Sequence, residues 1–188
     1  SEEGTNVSSD ILYWIWLSER LGPADPSFKS LVQAGLSPAR LYAASAEELS
    51  SDVGLDEKTV RKLGDKSLED ACRILSYCEE RGVNVLTHGS AGYPELLFDI
   101  PDPPVVLYCL GNMPDLDKKT GIAVVGTRQI SEYGMKNAYT LSFDMAFSGA
   151  VIVSGMAEGI DAVSGRLLNL GIESTQVEDE REFNSFLE

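Results

Sequence analysis

The apolar positions change their period once along the chain. From residue 10 to about residue 81 they recur at three- and four-residue spacing in short blocks, the repeat of amphipathic helices. Ile11, Trp14, Ile15 and Ser18 share one face, flanked by Leu12 and Leu21, with the N-cap residue types Ser9 and Asp10 in front and Gly22-Pro23 behind. Phe28, Leu31 and Val32 mark a second helix ending near Gly35, and Pro38 opens a third carrying Leu41. Ser45 followed by Glu48 has capping-box spacing and starts a fourth. After the turn Val53-Gly54-Leu55-Asp56 come Glu57–Leu63 and Ser67–Arg81, whose stripe runs through Leu68, Ala71, Cys72, Leu75 and Cys78 or Glu79. The pattern predicts a small all-helical domain over residues 1–82.

The spacing then shortens. Val83–Leu86 is a strand candidate, and Tyr93-Pro94 with Ile100-Pro101-Asp102-Pro103-Pro104 makes a stiff extended connector, placing a boundary within 83–104. Val105–Tyr108, Ile122–Val125 and Ala150–Val153 are compact β-branched runs, expected as strands buried on both faces. Ser131–Phe147 and Gly159–Leu170 return to helical spacing. Strand, helix, strand, helix predicts an α/β fold with a parallel sheet over 105–188.

Composition narrows the function classes. The chain has 188 residues, 43% of them hydrophobic, which is enough for a core and excludes a disordered acidic tail. Its net charge is −15, which excludes a broad basic footprint for nucleic acid. The acid sits at the ends: residues 1–104 hold 9 basic and 18 acidic side chains, residues 105–172 hold 5 and 6, and residues 173–188 hold 1 and 6. A local anion site in the nearly neutral middle is therefore allowed. No apolar run approaches the ~20 residues of a membrane span. The opening SEEGTNVSSD lacks a basic n-region, so a cytoplasmic protein is expected. Cys72, Cys78, Cys109 and the lone His88 share no metal-type spacing. They predict reduced cysteines packed as small hydrophobes, no metal and no cofactor.

Two glycine-rich turns carry the candidate chemistry. Ile122–Val125 runs into Gly126-Thr127-Arg128, then Ser131, Tyr133 and Gly134 at the start of a helix. Ala150–Val153 runs into Ser154-Gly155, then Gly159-Ile160-Asp161 and another helix. Ligands bind at the carboxyl ends of strands in open α/β sheets, where amides and a helix terminus face an anion. Gly126 allows close approach, Arg128 offers a forked cation to phosphate oxygens, and Thr127, Ser131 and Ser154 add hydroxyls. For Asp161 helix capping is a simpler reading than ligand contact, and its carboxylate is also placed to orient the turn by accepting hydrogen bonds. For Tyr133, base or sugar stacking and plain packing stand level. The G-x-G-x-x-G fingerprint and the P-loop are absent, so neither an NAD enzyme nor a P-loop ATPase is supported.

These residues resemble the DNA processing protein A (DprA/Smf) family. Ala123-Val-Val-Gly-Thr-Arg128, Ser131-x-Tyr133-Gly134 and Ile152-Val-Ser-Gly-x-Ala157-x-Gly159-Ile-Asp161 carry the likeness, together with Tyr93-Pro94-x-Leu96-Leu97 and Ile100-Pro-Asp-Pro-Pro-x-Val-Leu-Tyr108-x-x-Gly111 upstream. It covers roughly residues 10–170. The resemblance implies a Rossmann-like parallel sheet preceded by a small all-helical SAM-like domain. It further implies a bacterial, cytoplasmic, non-enzymatic protein without catalytic residues or a membrane partner. Such a protein binds and protects single-stranded DNA and loads the RecA recombinase, in natural transformation (competence) and recombination, as a homodimer where the Rossmann-like domain is complete. The DNA-contacting residues it implies are Gly126, Thr127, Arg128, Ser131, Tyr133 and Gly134 in the first turn, and Ser154, Gly155, Gly159 and Asp161 in the second.

The chain departs from the family in three ways. Gly165 stands where the family usually has His. The passage from Gly171–Thr175 into Gln176–Glu182 replaces the family's further strands, so a Rossmann-like domain truncated, or missing residues near 171–177, is expected, with Glu180–Glu188 as a displaced helix. Few cations remain in the middle segment: Lys118, Lys119, Arg128, Lys136 and Arg166. Lys58, Arg61, Lys62 and Lys66 form a basic helical face, expected to be solvated rather than DNA-bound. Two alternatives stay open: a Rossmann-like enzyme or sensor acting on a small nucleotide, and a functionally silent or interaction-only chain.

Overall fold

A computed structural model describes residues 3–22, 25–155 and 157–169. The chain divides into two compact units, Ser1–Met113 and Pro114–Glu188. The expectations for residues 171–177, for a helix at 180–188, and for the side chains at 165 and 166 lie outside what is described.

The first unit opens with a run of helices in chain order: α1 (Glu3–Leu21), α2 (Ser27–Gln33), α3 (Pro38–Ala43), α4 (Ala46–Ser51), α5 (Glu57–Gly64) and α6 (Glu69–Arg81). Local chemistry sets most of their ends. Ser37 caps α3 with Pro38 at its first position, Ser45 and Glu48 form the full capping box of α4, and Asp56 caps α5. Gly82 closes α6 at φ +65°. The start of α1 corrects the sequence expectation, because Ser9 and Asp10 lie inside the helix rather than capping it. No proline or glycine interrupts residues 5–10, and the middling propensities there are a weak force beside a packed helix downstream.

The core is built on α1. Ile15, Trp16 and Leu17 are buried with Leu21, Phe28, Leu31, Leu41, Leu49, Leu63 and Ala71. Trp16 donates its indole N–H to the Asp65 carbonyl at 2.8 Å, and Tyr42 packs edge-on against it. Lys66 extends over both rings and donates from Nζ to the Leu41 carbonyl at 2.9 Å; burial pushes its ammonium pKa down. Lys62 pairs with Asp25 at 2.7 Å and Arg61 with Glu57 at 2.8 Å. Three of the four cations of the basic face are thus tied to this unit's own groups.

Two strands complete the first unit. β1 (Val83–Thr87) and β2 (Val106–Leu110) pair antiparallel in the register Val85 with Tyr108. The sequence reading placed the run beginning at Val105 in the parallel sheet; in the structure it reverses against β1. A parallel pair requires a crossover of a dozen or more residues, usually helical, and the stretch between these strands holds only the single-turn α7 (Glu95–Phe98). The burial expected on both faces holds at one end of β2 only: Val106 is buried, whereas Tyr108 and Leu110 are exposed.

The connector is fastened internally. Tyr93 is buried and donates its hydroxyl to the Pro104 carbonyl at 2.7 Å. Burial pushes its phenol pKa up to about 12, against about 10 in an unfolded chain. A raised folded pKa gives stability that is complete below pH 10 and is lost as pH climbs through 12. Tyr93→Phe should therefore cost about 1 kcal/mol at neutral pH, yet lose less stability than the parent between pH 10 and 12. Thermal melts across that range check it, and parallel curves for the two proteins would show that the phenol is not coupled to folding.

The second unit contains β3 (Gly121–Ala123), α8 (Glu132–Phe147), β4 (Val151–Val153) and α9 (Ile160–Asn169). β3 and β4 are parallel, Ile122 beside Ile152, and α8 is the crossover between them. α8 packs on α9 and β4. This is the α/β order expected from the sequence. The burial expected on both strand faces is not found: Ile152 is buried, but Val153 and, beyond β3, Val125 are exposed. Strands of three residues are too short to be covered on both faces.

Candidate nucleic-acid interface

Both glycine turns leave the same end of the parallel pair, and they lock into each other. The Gly126 amide donates to Asp161 Oδ1 at 3.0 Å. The Ile160 amide, first in α9, donates to the Thr127 carbonyl at 3.2 Å. Ser154 donates from Oγ to the Asp161 carbonyl at 2.8 Å. Buried Ser164 shares its one hydroxyl proton between the carbonyls of Ile160 and Asp161, at 3.1 and 3.0 Å.

Steric fit explains two glycines. A Cβ on Gly126 would stand 2.6 Å from Cδ1 and 2.9 Å from Cβ of Ile160, so the first turn lies flat on the α9 terminus. Gly159 adopts φ +90°, and a Cβ there would strike the Thr127 carbonyl oxygen and approach Arg128 Cα to 2.7 Å.

The outer surface of the first turn is open. Arg128 is exposed and joins no salt bridge among the described residues. Tyr133, in the first turn of α8, is 80% exposed. Thr127 is exposed, and its hydroxyl accepts from the Gln129 amide two residues on at 3.1 Å, while Ser131 caps α8 by accepting from the Gly134 amide at 3.1 Å. Asp161 is buried and serves as neither exposed ligand nor N-cap: it sits in the first turn of α9 and holds a backbone amide of the other loop.

The first turn thus presents Arg128 and Tyr133 outward and lays Gly126 against α9, while Gly155, Gly159, Ser154 and Asp161 form the seat beneath it. The sequence missed Ile160 and Ser164, which complete that seat. An apolar residue and a serine early in a helix carry no signal of such a role. Among the described residues no group of three or more His, Cys, Asp or Glu is placed to hold a metal, and no helix is long and apolar enough to cross a membrane.

The family model for DNA recombination-mediator protein A matches residues 84–168, which include both turns. The chain is 30% identical over 160 residues to Protein Smf of Synechocystis, covering 83% of this chain and 40% of that protein. It is 41% identical over 92 residues to DNA processing protein DprA of Bacillus subtilis, covering 49% of this chain and 31% of that one. The chain belongs to the DprA/Smf family. The fold of this family member is also that of DNA processing protein A from Streptococcus pneumoniae, with a TM-score of 0.56 at 23% identity over 85% of this chain and 54% of the solved one. The chain therefore spans well under two thirds of the length of these DprA and Smf relatives.

Proposed function

We propose that this chain binds single-stranded DNA at the Gly126–Arg128 turn and mediates its transfer to the RecA recombinase in the bacterial cytoplasm. The observation that carries the reading is an exposed Arg128, in no salt bridge among the described residues, beside an 80% exposed Tyr133 on a turn whose backbone is fixed from beneath. A guanidinium takes a strand phosphate in a forked geometry, and an aromatic face stacks a base of any sequence. The description of the family as a recombination mediator supports a recombinase as protein partner, and a homodimer is the assembly proposed with it. The chemistry requires no cofactor and no catalytic residue.

Arg128→Ala is the direct test. With a labelled oligothymidylate, fluorescence anisotropy across a salt series should show binding about tenfold weaker or worse, with the salt slope reduced by about 0.7, one phosphate contact to a single strand. Excess mononucleotide should not displace the strand. Unchanged affinity in the variant would remove Arg128 from the interface. Full displacement by mononucleotide would point instead to a small-nucleotide site.

A further inference from the structure

We propose that Asp161 is a positioning residue for the Arg128 turn, and that the second glycine turn closes the α9 terminus to anions instead of receiving one. This rests on Arg128 as the phosphate contact and adds a division of labour between the turns. On sequence alone they look equivalent, each a strand end leading through glycines to a helix start.

Their hydrogen bonds differ. The first amide of α9 is already taken by the Thr127 carbonyl. The Ser154 hydroxyl, which sequence reasoning offers to a ligand, is spent on the Asp161 carbonyl. Ser164 adds a second donor to that carbonyl from the buried side. The Asp161 carboxylate lies against the second turn, with Oδ2 3.2 Å from where a Gly155 Cβ would be. It also lies under the first turn, through Oδ1 and the Gly126 amide.

An anion brought to the α9 terminus would therefore meet a buried carboxylate. The favourable field of the helix terminus, which stabilises nearby negative charge, already acts on Asp161. A phosphate can dock only on the outer side of the first turn, at Arg128. The site accordingly takes one phosphodiester at a time and does not cradle a pyrophosphate on the α9 terminus, as dinucleotide folds do on theirs. Asp161 acts through the backbone: the bond to the Gly126 amide sets the turn on which Arg128 stands.

The experiment compares the whole chain with Asp161→Ala, Asp161→Asn and Arg128→Ala, each checked for a cooperative melt. The readouts are anisotropy of labelled oligothymidylate against salt, and displacement by pyrophosphate and by inorganic phosphate. Asp161→Ala should weaken binding about tenfold with an unchanged salt slope, since no phosphate contact is lost. Asp161→Asn keeps an oxygen acceptor for the Gly126 amide and should stay within about threefold of the parent. Pyrophosphate should compete no better than inorganic phosphate. Parent-like binding by Asp161→Ala, a changed slope, or preferential displacement by pyrophosphate would overturn the proposal. If Asp161→Ala does not melt cooperatively, Asp161→Asn decides: near-parental binding supports positioning through the amide, and a tenfold loss overturns it. Parent-like binding by Arg128→Ala would instead remove the phosphate reading on which the proposal rests.

Discussion

Trp16→Ala should cost the helical unit about 4–5 kcal/mol, at the upper end for truncating a large core side chain. The indole is 1% exposed and is held by more than packing. Its N–H satisfies the Asp65 carbonyl, Tyr42 stands edge-on to it with ring centroids 5.2 Å apart, and the Lys66 ammonium lies 5.1 Å from its centroid. Removing the ring empties a cavity, orphans a carbonyl and strips a partly buried ammonium of one of its two aromatic partners. Urea denaturation followed by far-UV circular dichroism measures the loss. Trp16→Phe should recover most of the packing and leave a deficit of about 1–2 kcal/mol from the missing hydrogen bond. A loss below about 2 kcal/mol for the alanine variant would mean that the helices repack around the gap.

The second large effect falls in the other unit. Gly159→Ala should destabilise the turn region by about 3–4 kcal/mol, combining a non-glycine residue at φ +90° with a clash against backbone. The atoms in the way are the Thr127 carbonyl oxygen and Arg128 Cα, and neither can rotate aside as a side-chain end does. The first turn must move off its seat. Single-stranded DNA binding should vanish while the near-UV signal of Trp14 and Trp16, both in the helical unit, stays native. Gly126→Ala makes a useful contrast, because the atoms it meets belong to the Ile160 side chain, which has rotamers to use. Intact binding in Gly159→Ala would show that the turn does not need its seat.

The sequence made some of this legible for physical reasons. The Ser45–Glu48 capping box and Pro38 at a helix start act within a few residues, and local pattern is enough to read them. The alternation of strands and helices after residue 120 likewise announced the parallel pair. The pairing of β2 with β1 did not show, because compact apolar runs look alike whichever partner they take. Nor did the fates of Lys62 and Lys66, whose partners Asp25 and Leu41 lie 37 and 25 residues away. At the candidate site the motif residues were all visible, but not which of them face outward. That division depends on bonds spanning the 35 residues between Gly126 and Asp161.

One structural feature has a kinetic signature of its own. The Gly126 amide is held by Asp161 and the Ile160 amide by Thr127, so each turn protects a proton belonging to the other. Both bonds run between the first turn and the start of α9, so separating the two breaks both. In deuterium exchange these two amides, distant in sequence, should open as one event with closely matched protection. A bound strand that fixes the first turn should slow both together.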